Sequence, residues 1–108
     1  MTNFADYRAH AGSNADKLFK STLFQSPRLL LGLNCLEPMQ TQSIHRHTDQ
    51  DKFYFVVEGE GEFAVGDETR RAGPGVTVWA PAGVDHAVTN TGAMRLVLLV
   101  GIAPAPGK

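Results

Sequence analysis

His45, Arg46 and His47 set two imidazoles two residues apart, and a third, His86, follows in the run from Gly75 to Asn90. On an extended strand successive side chains alternate faces, so His45 and His47 point the same way. An imidazole from a distant strand can then complete one face of a metal's coordination sphere. Imidazole suits zinc, iron, nickel and copper alike, so the ligand type does not select the metal. A His-x-His pair alone also fits two exposed or hydrogen-bonded histidines, and the setting of His86 is what favours a metal.

Short strands joined by turns must hold these residues. Leu18 to Phe24 is a first short candidate, broken at Ser26-Pro27, and Arg28 to Leu36 is an apolar run. Proline fixes φ and removes a donor, which makes Glu37-Pro38 a turn. Ser43 to Thr48 carries the histidine pair, and Phe53 to Val57 is aromatic and β-branched, as strands prefer. Glu58 to Gly61 reads as a bend or bulge. Glu62 to Val65 and Thr69 to Ala72 flank a hairpin signal at Gly66-Asp67-Glu68. Val76 to Ala80, His86 to Thr89 and Arg95 to Ile102 complete the set, and the one helical candidate is Phe4 to Ala11. Many short strands with Gly and Pro turns predict an all-β sandwich or small barrel in a single domain. The expected division is an N-terminal segment 1–16, a barrel 17–102 and a mobile tail 103–108.

Composition fits that reading. The chain has 108 residues and a formal net charge of -1, with the signs mixed. That balance argues against nucleic acid or an anionic membrane as a partner. Leu96 to Val100, the longest apolar run, is far too short to span a bilayer. No basic stretch leads into an apolar core near Met1, so no secretory signal is expected. The single cysteine, Cys35, excludes an intramolecular disulfide and reads as a small buried hydrophobe. The expected location is the cytoplasm.

The residues resemble the cupins. The second cupin motif reads Gly, five residues, Pro-x-Gly, two residues, His, three residues, Asn, and Gly75, Pro81, Gly83, His86 and Asn90 meet every position. In the first motif His45, His47 and Gly59 match, while the opening glycine falls on Met39. The glutamate of that motif falls on Lys52 counted back from Gly59, or on Asp51 counted on from His47. The resemblance implies a double-stranded β-helix, or jelly-roll, barrel. It also implies one divalent transition metal, such as Fe, Zn, Ni or Mn, on His45, His47 and His86.

The fourth ligand is left open. Asp51 supplies a carboxylate if a local bulge turns it inward, and Gln50 is a further donor. If Lys52 takes the slot, the metal rests on three histidines plus water, or no metal binds and Lys52 takes an anionic ligand or pairs with Asp49 or Glu58. Lys52 shares parity with Tyr54 and Val56, and Asp51 with Phe53, Phe55 and Val57, so both faces of this strand are apolar. A neighbouring segment or a second subunit must cover the outer one, and since homodimers are common in cupins, a homodimer is expected. Trp79 fits the pocket or that outer surface. Tyr54 and Lys52 are the candidate acid, base or anion clamp. The implied function is a metal-dependent enzyme of dioxygenase, isomerase or lyase type acting on a small metabolite. The alternative is a non-catalytic small-molecule or metal-binding module. No segment suited to DNA is present, so a transcription regulator is not expected.

Overall fold

The computed structural model describes residues 2–106, so Met1 and the last two residues of the expected tail lie outside it. Nine strands appear among the described residues: β1 (Phe19–Ser26), β2 (Leu29–Leu36), β3 (Thr41–His45), β4 (Asp51–Glu58), β5 (Gly61–Val65), β6 (Glu68–Ala72), β7 (Thr77–Ala80), β8 (His86–Thr89) and β9 (Leu96–Ala103). They form a five-stranded sheet in the order β1-β2-β9-β4-β7 and a four-stranded sheet in the order β3-β8-β5-β6. All pairings are antiparallel. The all-β barrel expected from the strand pattern is the fold observed.

The strands alternate as period-2 patterning requires. On β4, Lys52, Tyr54 and Val56 face inward, opposite Ile102, Val100 and Leu98 of β9. All but Lys52 join Leu36, Phe63, Ala72, Val88 and Leu96 in the hydrophobic core between the sheets. Gly66 takes a positive φ of 56° at the first position of the two-residue turn joining β5 to β6. Glycine reaches that angle at little cost, and the two-residue hairpin needs it. The bend read at Glu58 to Gly61 is real: the β4–β9 register shifts between Val56 and Glu58, and Gly59 has φ 79°.

Several expectations are corrected. The helix expected over Phe4 to Ala11 is a single 3-10 turn, Tyr7–Ala9, capped by the Asp6 side chain. Tertiary packing decides this segment. Tyr7 and Ala11 lie on the outer cluster of Leu33, Cys35 and Val97, and Ser21 Oγ donates to the His10 carbonyl at 2.8 Å. The N-terminal segment thus supplies part of the cover that the outer face requires. Farther along, Trp79 pairs with Phe53 at the sheet edge and remains 56% exposed, on the outer of the two surfaces expected for it. The first strand continues to Ser26, where Pro27-Arg28 turns it into β2. Cys35 is buried as expected, and burial pushes its thiol pKa up, so it is poorly reactive. Among the described residues no helix is long and apolar enough to cross a membrane.

Candidate metal centre

A further correction concerns the strand carrying the histidine pair. The expected strand Ser43 to Thr48 is instead Thr41–His45, and His47 lies beyond its end. A bulge explains the change. β3 pairs Gln42 with Val88 and His45 with His86, so the register slips by one residue between them. Residues three apart on a regular strand face opposite ways, and one extra residue restores the same face. Gln42 is therefore buried and His45 also turns inward. His47 is fixed from outside the strand: its carbonyl accepts the Gly83 N–H at 2.8 Å. Arg46, between the two histidines, points away and pairs with Asp85 at 2.8 Å. That ion pair joins the segment bearing His45 and His47 to the one bearing His86.

The three imidazoles meet. Their nearest donor atoms all lie within 4.8 Å of one another, and His45 and His86 have ring centres 4.1 Å apart. Two of the rings are oriented from behind. His45 Nδ1 donates to Ser43 O at 2.9 Å, and His86 Nδ1 donates to Val84 O at 3.1 Å. A carbonyl can only accept, so each Nδ1 carries the proton and each Nε2 presents a lone pair. The Nε2 atoms of His47 and His86 are buried and have no hydrogen-bond partner. Orphaned buried acceptors are costly unless something fills them. Backbone-fixed imidazoles with inward lone pairs are what a divalent transition metal requires of its ligands.

Burial favours the neutral, ligating form of all three. Desolvation is the main cause of each downward shift, and it carries His86, 2% exposed, to about 4. The Lys52 ammonium adds to each of them. Gln50 opposes the shift at His47 through a side-chain hydrogen bond, and its amide also donates to Pro104 O at 3.1 Å.

Lys52 occupies the inward slot. It is 3% exposed, its ammonium lies 4.8 Å from the centre of the Tyr54 ring, and burial lowers its pKa to about 8. Asp51 takes the other face, where its carboxylate accepts the Ala82 N–H at 3.0 Å. No bulge turns it inward, because Lys52 stays in register with Ala80 and Ile102 on its two neighbours. Asp51 is therefore corrected from candidate ligand to a support of the loop before His86. Tyr54 is inward, but its hydroxyl donates to Gln42 Oε1 at 2.7 Å and burial raises its pKa. Its proton is committed to Gln42, which leaves Lys52 as the freer of the two candidates. Asn90 ties the far end of β8, donating to Leu36 O and Met94 O at 2.7 and 2.9 Å. Gln42 is a site residue that the sequence did not signal, because only the bulge brings it inside.

These shifts fix the pH response of the metal-free chain. With His86 at about 4 rather than 6.5, the unfolded chain binds more protons between those values. Stability therefore falls as pH drops through that window. With Lys52 at about 8 rather than 10.5, the same reasoning makes stability rise from the lower value to the upper. The melting temperature should increase by at least about 4 °C between about pH 5 and pH 7. Wild type should also gain on Lys52→Met between about pH 8 and pH 10. Parallel curves for the two proteins in the alkaline window would contradict the burial of Lys52.

A protein-family model described as a cupin domain matches residues 32–101. Among solved structures, the TT1209 protein of Thermus thermophilus is 40% identical, with a TM-score of 0.93 over 97% of this chain and 100% of that one. A conserved protein with a double-stranded β-helix domain from Klebsiella pneumoniae has a TM-score of 0.92 over 100% of this chain and 95% of that one. At 16% identity, that likeness shows the fold alone. An uncharacterized protein of Streptomyces coelicolor is 38% identical over 74 residues, 68% of this chain and 70% of the relative.

Proposed function

The chain belongs to the cupin family, and from that premise we propose that it is a small metal-binding cupin. It acts as a metal-dependent enzyme of dioxygenase, isomerase or lyase type on a small metabolite. The observation that carries this reading is the pair of buried, unpartnered Nε2 atoms on His47 and His86, facing the third imidazole. His45, His47 and His86 would hold one divalent transition metal as neutral ligands. Three protein ligands with an open position are typical of catalytic metals. Such a metal supplies Lewis-acid or redox chemistry.

The chain's own residues do the rest. The Ser43 and Val84 carbonyls keep two imidazoles in the ligating tautomer. Gln42 holds the Tyr54 hydroxyl, so the Tyr54 ring stands as a fixed wall beside Lys52. Lys52 is the polar side chain positioned to meet a bound molecule. An inward lysine where the motif has an acid also favours a second reading, a binding module without catalysis.

Elemental analysis of protein purified without added metal or chelator tests the metal. Near one transition metal per chain is expected, and its loss from His47→Ala. Iron would direct the search to oxygen consumption. Zinc, nickel or manganese would direct it to isomerase and lyase assays. No metal on purification, and no uptake from iron, nickel or zinc solutions, would rule out the metalloenzyme.

A further inference from the structure

The inner side of the barrel beside the histidines carries positive charge and no acid to balance it. Lys52 is 3% exposed, and no salt bridge among the described residues reaches it. Lys20, an exposed residue on the inner-face row of β1 opposite Asn34, adds a solvent-screened positive field at Lys52. The charges that lower the imidazoles' pKa values come from Lys52, Lys20 and neighbouring histidines, while Asp85, which also interacts with His86, is exposed and paired with Arg46. The two acids next to the site in sequence are engaged elsewhere, Asp51 by the Ala82 N–H and Asp85 by Arg46.

A buried ammonium without a counter-charge is costly. The Tyr54 ring face recovers about 2 kcal/mol of that cost, well short of the whole. A dication on the histidines would add two more positive charges to the same enclosure. Short of giving up its proton, Lys52 can be balanced only by negative charge that arrives with a ligand.

We propose that Lys52 is the anion-binding residue of this site and that the small molecule it takes is a carboxylate. The carboxylate lies between the Lys52 ammonium and the three imidazoles. A planar group with two oxygens can offer one to each side. Phosphate is the competing anion, and without an arginine fork it gains no bidentate contact from the site. The dication in this scheme rests on the metal-centre reading, whereas the unbalanced charge of Lys52 does not.

The test titrates acetate, acetamide and inorganic phosphate into the cobalt-loaded chain by visible absorption, and into the metal-free chain by thermal shift at fixed ionic strength. Wild type should bind acetate at least about tenfold more tightly than Lys52→Met, a charge-assisted contact being worth about 1.5–3 kcal/mol. Acetamide should not compete. In the metal-free chain acetate should raise the melting temperature of wild type and not of Lys52→Met. Lys52→Gln serves as a second neutral variant should the methionine protein fail to fold. Equal acetate response in wild type and the neutral variants overturns the proposal, as does tighter binding of phosphate. Failure to take up cobalt would sink the metal reading alone, because the metal-free titration still decides the role of Lys52.

Discussion

Replacing His86 by alanine should weaken affinity for a divalent transition metal by at least about a hundredfold. Loss of an outer residue that only orients a ligand already costs 10- to 100-fold, roughly, so loss of the ligand itself should reach the top of that range or exceed it. His86 is the ligand to choose because its place is the most strongly determined. It opens β8, pairs across the sheets' inner rim with His45, and is oriented by the Val84 carbonyl. The two remaining imidazoles could not enclose the ion. Competition against a chromophoric chelator for nickel and for zinc would measure the change. The metal-free variant should remain folded. It loses one hydrogen bond and a buried ring, while the costly orphaned Nε2 is also removed. A folded variant whose affinity falls less than about fivefold would show that the three imidazoles do not act as one site.

Lys52→Glu should act in the opposite direction and raise metal affinity by at least about a hundredfold. Two unit charges about 4 Å apart interact by about 4 kcal/mol at an effective dielectric constant of 20. Exchanging a repelled ammonium for an attracted carboxylate counts that energy against a dication more than once. A gain of a hundredfold needs only about 2.7 kcal/mol, well inside it. The new carboxylate would take the slot that the cupin motif gives to an acid, making three imidazoles and one oxygen. The same variant should lose the acetate response, because the site then carries its own anion. Joint gain of metal and loss of acetate would separate the two roles of this position. Unchanged metal affinity would mean that residue 52 lies too far from the imidazoles to act on an ion held there.

Much of this was legible in the sequence because strands impose a period of two. Lys52, Tyr54 and Val56 share a face by parity, and the structure places all three inside. The turn from β5 to β6 was legible for a similar reason, since glycine at the head of a two-residue hairpin leaves few alternatives. The spacing from Gly75 to Asn90 identified His86, and the apolar runs gave the strands that became β2, β4 and β9. All of these are local properties, set by each residue and its near neighbours.

Other features depend on partners far away in the chain. The slip between Gln42 and His45 exists only against β8, and it decides that both side chains enter the barrel. The position of His47 beyond the strand depends on the Gly83 N–H, which no local pattern announces. Whether Asp51 or Lys52 took the acid's slot could not be read from counting, because the cupin motif allows a gap of either three or four residues between the second histidine and the acid. Register with β7 and β9 decided it, turning Lys52 inward and sending Asp51 to the Ala82 amide. The N-terminal segment shows the same division, since its short turn follows from packing on the outer sheet face rather than from its own propensity. By itself the sequence determined the strand order along the chain and the residue types available for chemistry. Tertiary pairing determined which of them face one another, because a one-residue shift in register exchanges the inside of a strand for its outside.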